Sequence, residues 1–120
     1  MRPLLLVSIL PLLAAGAGHA APACPAARHG QALEHVTVFD GPPADMASLR
    51  PEDQEAGREL VQTWDVADIA RRGRHAQVEC RYADGVVEVV RLPKSVKACR
   101  QRLSRLDDKG DYRLLSFRCD

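Results

Sequence analysis

Four cysteines in a short chain are the feature that most limits its fold. The chain has 120 residues, and an even number of cysteines in a small exported protein predicts two disulfides. A zinc site is the alternative, but no two of the cysteines have the C-x-x-C spacing typical of zinc ligands. We therefore expect two disulfides, and neither a metal nor a cofactor. The four residues concerned are Cys24, Cys80, Cys99 and Cys119.

The expectation of export rests on the first twenty residues, which have the three parts of a bacterial signal peptide. Arg2 gives a positive start, an apolar run covers residues 4–15, and Gly18-His19-Ala20 offers small residues at the two positions that signal peptidase recognises. The run is shorter than the roughly 20 apolar residues of a membrane-spanning helix, and Pro11 interrupts it. We therefore expect cleavage near Ala20 and a mature periplasmic protein.

Lipidation of Cys24 is a less favoured outcome of export. Pro22 stands where a lipobox has a small unbranched or hydroxyl residue, and no leucine stands just before it.

From the signal-peptide pattern and the cysteines together, residues 1–20 are interpreted as a signal peptide. Residues 21–120 are interpreted as a single disulfide-bonded β domain that does not span the membrane.

The charges make nucleic acid a poor candidate partner. The chain has 17 basic and 16 acidic side chains, and aromatic residues are only 4% of it, so there is little to stack on bases. Basic residues are concentrated after residue 70, which could orient an anionic partner. The simpler interpretation is that the charges of the two halves of the chain neutralise each other within one domain.

The residue pattern predicts a mainly β fold, a small antiparallel sheet or a barrel-like domain with little helix. Residues 33–39 and 60–66 contain the β-branched and aromatic residues that are typical of strands. Residues 44–49 could form one helical turn, and the polar segment 51–57 is interpreted as a surface loop.

The strongest local signal is Asp84-Gly85, which lies between residues 76–83 and 86–92 and is typical of a two-residue hairpin turn. With such a turn, Arg81 lies opposite Glu88 on the solvent face, a favourable cross-strand pair. The residues predicted to face the core are Val78, Cys80, Tyr82, Val87 and Val89.

A second hairpin is predicted around the polar loop 107–111. If the turn is centred on that loop, Cys99 lies opposite Cys119, and Leu103 lies opposite Leu115. The Arg-Gln-Arg-Leu sequence after Cys99 would also tolerate a helix.

Two disulfide pairings keep all cysteines on the inner face of these hairpins. The hairpin register favours Cys24–Cys80 with Cys99–Cys119. The other pairing, Cys80–Cys99 with Cys24–Cys119, links distant parts of the chain and closes longer loops, which restricts the unfolded chain more. On that ground we expect the second pairing.

Several short motifs, in a fixed order, resemble an uncharacterised family of small exported proteins of Gram-negative bacteria. The resemblance covers nearly all of the mature chain, and it implies a periplasmic protein with paired cysteines and no known catalytic residues. Arg50 departs from the family, in which an aliphatic residue is expected. The motifs are Cys24-Pro25, the segment 38–51 (V-F-D-G-P-P-A-D-M-A-S-L-R-P), Trp64-Asp65-Val66, Cys80-Arg81-Tyr82, Arg91-Leu92-Pro93 and Cys99.

The best candidate for a binding surface is the turn within segment 38–51. Rigid prolines beside apolar side chains present a contact surface at low entropic cost, as recognition loops do. A purely structural turn is a slightly simpler explanation of the same residues. The candidate loop consists of Asp40, Gly41, Pro42, Pro43, Met46 and Leu49.

The chain lacks the motifs of the common hydrolases, and we expect no catalytic residue. The most favoured function is a non-catalytic binding module, an inhibitor or immunity-like protein whose partner is another protein of the cell envelope. A small periplasmic hydrolase that uses Asp40, Asp45 or His35 is one alternative. A structural accessory protein of the envelope is the other.

Overall fold

The computed structural model of the protein describes residues 23–120. The expected signal peptide, residues 1–20, and its cleavage site lie outside the described residues. In the described range, no helix is long and apolar enough to cross a membrane. The elements are β1 (Ala27–Arg28), β2 (Gln31–Asp40), a 3₁₀ turn (Pro43–Asp45), β3 (Glu52–Ala56), β4 (Glu59–Asp65), α1 (Ala67–Arg71), β5 (Ala76–Tyr82), β6 (Val87–Arg91), β7 (Ala98–Arg105) and β8 (Tyr112–Cys119).

The strands form two antiparallel sheets of four strands each, so the expected mainly β fold is confirmed. Sheet 1 has the order β1-β2-β5-β6, and sheet 2 has the order β3-β4-β7-β8. One cluster of buried side chains draws on both sheets, which therefore pack over a common core. Trp64 of sheet 2 lies in this core, with its ring edge-on to Phe117 at a centroid distance of 6.2 Å.

Asp84-Gly85 does form the turn between β5 and β6, but the loop has three residues instead of two. The Tyr82 N–H donates to the Val86 carbonyl at 3.0 Å, and the glycine N–H donates to the Tyr82 carbonyl at 2.9 Å. The glycine takes a positive φ of 82°, which is the conformation that the third residue of such a loop needs. Cys80 and Tyr82 are fully buried, as predicted.

The longer loop moves β6 by one position, so the predicted register of this hairpin is wrong. Arg81 lies opposite Val87 and not opposite Glu88. Because side chains alternate between the faces of a strand, Val87 and Val89 are exposed instead of buried. Glu88 is instead half-buried, and its carboxylate forms an ion pair with Arg28 at 2.6 Å.

The C-terminal hairpin is formed by two strands, and Cys99 lies opposite Cys119 as predicted. The register then shifts after Arg102, because β8 contains an irregularity, and Leu103 pairs with Leu114 instead of Leu115. The prediction for that pair is wrong, and Leu115 is exposed.

The segment interpreted as a surface loop, residues 51–57, contains strand β3 instead. Every residue of β3 is exposed, and the strand pairs with β4 along its whole length. Its sequence, EDQEA, has no apolar alternation because neither of its faces is buried. The strand is defined by its backbone hydrogen bonds to β4, to which a hydrogen bond from Gln62 to the Asp53 carboxylate at 2.9 Å adds.

The cysteines pair as Cys24–Cys80 and Cys99–Cys119, so the expected pairing is wrong and the alternative is confirmed. Ala98 and Asp120 exchange two backbone hydrogen bonds, of 3.0 and 2.9 Å. The next pair along the ladder, Cys99 and Cys119, is therefore a non-hydrogen-bonded pair, in which opposite side chains lie closest, and the two Cα atoms are 4.0 Å apart. This direct proximity outweighs the entropic advantage of linking distant parts of the chain.

Candidate functional site

The candidate loop leaves sheet 1 at the end of β2 and closes back onto the same strand. The Asp40 N–H donates to the Ala47 carbonyl at 2.9 Å, and the Leu49 N–H donates to the Val38 carbonyl at 2.8 Å. The 3₁₀ turn Pro43–Asp45 lies between these two contacts. The loop is therefore a closed turn with a fixed base, in which the two prolines further restrict the backbone.

Two arginines hold the first residues of the loop in place. Asp40, at the end of β2, has a largely buried side chain that forms ion pairs with Arg72 at 3.4 Å and with Arg74 at 3.3 Å. The Arg74 guanidinium also donates to the Asp40 main-chain carbonyl at 3.1 Å. Gly41 has a φ of 90°, and a Cβ atom there would lie 2.8 Å from Arg74 Nη2. The glycine therefore makes room for the arginine that anchors the loop.

The apolar residues of the loop divide into an exposed tip and a buried base. Met46 has 84% of its surface exposed, and Pro42 is exposed too. Leu49 instead packs against the core, and its carbonyl accepts a hydrogen bond from Trp64 Nε1 at 3.2 Å. The structure therefore presents Met46 and Pro42 to solvent and uses Leu49 as an anchor.

A groove of about 400 Å³ runs beside the loop. The His75 ring nitrogen Nδ1 lies 2.9 Å from the Leu92 carbonyl, which can only accept, so Nδ1 carries the proton in this contact. No carboxylate lies within ion-pair distance of Arg91 in residues 23–120, which leaves the groove with a net positive charge. The lining residues are Gly41, Pro42, Gly73, Arg74, His75, Gln77 and Arg91.

The basic residues of the groove are the part of the site that the sequence analysis missed. Arg74 and His75 follow helix α1, whereas Arg91 ends β6, so the residues are far apart in the chain. The excess of basic residues after residue 70 was the one signal that pointed to them, but composition alone could not show that they meet at the candidate loop.

The residues of the hydrolase alternative do not form one site. Asp40 is held by two arginines, whereas Asp45 is exposed at the end of the 3₁₀ turn. His35 lies opposite Arg81 on the outer face of sheet 1, five positions before Asp40 on the same strand. In the part of the chain that the structure describes, no group of three or more side chains could hold a metal ion.

The comparison with protein families assigns the chain to a known family. The model of the Type VI secretion system Tli immunity protein family matches residues 26–120, a region that contains both sheets, the candidate loop and the basic groove. No curated protein and no solved structure matches the chain. The family agrees with the expectation of a non-catalytic, immunity-like binding module and replaces the broader resemblance to small exported proteins. The chain belongs to the family of Type VI secretion system Tli immunity proteins.

Proposed function

We propose that the protein binds a Type VI effector in the periplasm and neutralises it by occupying its surface, without chemistry of its own. The family match over residues 26–120 is the observation that carries this proposal. Two disulfides support the compartment, because such bonds form and persist in oxidising environments such as the periplasm. The expected signal peptide, residues 1–20, supplies the route, and residues 21–120 then form the mature domain.

The candidate loop and the basic groove form the proposed contact surface. A fixed loop loses little conformational entropy when it binds, and an exposed methionine adapts its shape to a partner pocket. Arg91 lines the groove beside the loop and has no carboxylate within ion-pair distance in residues 23–120, so it favours a partner surface that carries carboxylates. The effector surface that fits here is therefore an apolar pocket with an acidic rim.

The first test concerns the compartment. We expect cells that send the cognate Type VI effector to their periplasm to survive when they also make the full-length chain. A chain that lacks residues 1–20 should not protect them, since it remains in the cytoplasm and cannot meet the effector. Colony counts on inducing plates measure the effect, and immunoblots confirm equal amounts of both chains. Equal protection by the shortened chain would contradict a periplasmic site of action.

The second test concerns the loop. We expect Met46→Asn to weaken effector binding about tenfold, the size of a moderate interface contact. Asparagine tolerates the positive φ of 57° at this position and adds no charge, so the melting temperature should stay close to that of the wild type. Isothermal titration with the purified effector measures the dissociation constant.

The matched control for the loop is Leu106→Asn, since Leu106 is 57% exposed and lies in the turn after β7. This variant should bind as the wild type does. If Met46→Asn also binds as the wild type does, the loop is not part of the interface, whereas the immunity function itself remains supported.

A further inference from the structure

The free edge of β6 differs from the other three sheet edges of the described chain. Exposed edges offer unpaired backbone groups to other strands, and proteins protect them with charges, bulges or very short strands. β1 has two residues, β3 has three carboxylates among its five residues, and β8 contains a register irregularity. β6 has the sequence VEVVR and follows another valine. Its one internal charge, Glu88, is half-buried and neutralised by Arg28, so the arginine at its end is the only free charge on this edge of the described chain.

The orientation of the β6 backbone follows from its pairing with β5. The Leu92 N–H donates to the Ala76 carbonyl at 2.9 Å, and the Val86 carbonyl accepts from Tyr82 at 3.0 Å. Because hydrogen-bonded pairs alternate along an antiparallel ladder, the N–H and C=O groups of Val87 and Val89 point away from β5. These groups are therefore available to a further strand.

The side chains of the same two residues face outward. Val87 is 40% exposed and Val89 is 50% exposed, because the three-residue loop at Asp84-Gly85 turns both onto the outer face. The free edge of β6 thus combines available backbone groups with an apolar strip, which is what strand addition uses.

The edge is also continuous with the groove. β6 ends at Arg91, and Arg91 lines the groove together with Pro42 of the candidate loop. We propose that an extended segment of the effector adds to β6 as a fifth strand of sheet 1 and continues past Arg91 into the groove, where one of its carboxylates pairs with Arg91. This inference rests on the proposed immunity function and specifies how the effector is held.

A second copy of the chain fits this edge less well. A strand of five residues is about 17 Å long. Pairing of two copies over that length alone buries far less surface than a stable interface needs, which is about 1,000 Å². In an antiparallel self-pair centred on Val89, the tight turn of the second copy would lie beyond Arg91. No extended chain would then enter the groove. An effector segment that pairs with β6 and then continues along the groove gains contacts with the groove residues as well, which a second copy of the chain does not.

The test compares two substitutions at Val89. Val89→Pro removes an N–H that the fold does not use and places a proline ring on the free edge, where proline is tolerated. Val89→Thr keeps the N–H and the β-branched shape. We expect the proline variant to bind the purified effector at least tenfold more weakly, and the threonine variant to bind within about twofold of the wild type.

Hydrogen exchange on the wild-type protein gives a second readout that needs no variant. The amides of Val87 and Val89 should exchange fast in the free protein and become protected when the effector is bound. If these amides stay unprotected, or if a folded Val89→Pro variant binds with wild-type affinity, strand addition is overturned while effector binding stands. If Val89→Pro does not fold, the exchange result decides.

Two further outcomes would overturn the proposal in other ways. Absence of any binding between the wild-type protein and the effector would overturn the immunity proposal itself, and strand addition with it. A dimer of the free protein in light scattering, with protected Val87 and Val89 amides, would assign the edge to a second copy and overturn the effector assignment.

Discussion

Replacing Cys24 and Cys80 together by alanine should lower the free energy of unfolding by about 4 kcal/mol. This disulfide joins residues 56 positions apart, and the stabilisation from closing a loop in the unfolded chain grows slowly with the length of that loop. The loss is a large part of the roughly 5–15 kcal/mol that stabilises a domain of this size. Urea unfolding of the purified mature protein, followed by circular dichroism, measures it.

The matched control is the double replacement of Cys99 and Cys119 by alanine. These residues are 20 positions apart and already face each other across a hairpin, so the expected loss is about 3 kcal/mol. A loss from the second pair equal to or larger than that from the first would contradict the explanation by loop length.

The first disulfide should also matter for the position of the N-terminal segment. Tyr82 donates its hydroxyl hydrogen to the Pro25 carbonyl at 3.0 Å, and Arg28 pairs with Glu88 on β6. Burial raises the pKa of the Tyr82 hydroxyl above its ordinary value, and the Glu88 carboxylate raises it further against a smaller opposing effect of Arg28, so the hydroxyl keeps its proton to a higher pH than a free tyrosine does. Without the disulfide, the segment is still held on sheet 1 by these polar contacts, by β1, by a hydrogen bond from the Leu33 N–H to the Ala26 carbonyl and by packing of Ala23 against the core.

Trp64→Ala should have an effect of similar size, a loss of about 3–5 kcal/mol in the free energy of unfolding. The side chain is almost fully buried and packs against Phe117, so its removal leaves a large cavity between the sheets. Because this is the only tryptophan of the chain, unfolding of the variant is followed by circular dichroism instead of fluorescence.

Trp64→Phe separates packing from anchoring of the candidate loop. Phenylalanine keeps much of the apolar volume but cannot donate to the Leu49 carbonyl, so we expect a smaller loss of about 1–2 kcal/mol. The Asp40 and Leu49 amides, which close the base of the loop, should exchange faster in this variant. Unchanged exchange at both amides would show that the indole hydrogen bond does not hold the loop.

Local sequence was enough to predict the mainly β fold, the two hairpins and the position of Cys99 opposite Cys119. Each of these depends on neighbours in the chain: a turn of small and polar residues with strand-forming residues on both sides. The immunity-like function was predicted from the small disulfide-bonded domain and the absence of catalytic motifs, and the family match agrees with it.

The tertiary structure decided the features that local sequence leaves open. Loops of two and of three residues both suit Asp84-Gly85, and burial of Val90 instead of Val89 against the core selects the longer one. Strand β3 has no apolar pattern and depends on its pairing with β4. The groove joins Pro42, Arg74 and Arg91 from three separate segments. These features depend on which residues lie beside each other in space, because packing and backbone pairing act between elements that are distant in the chain.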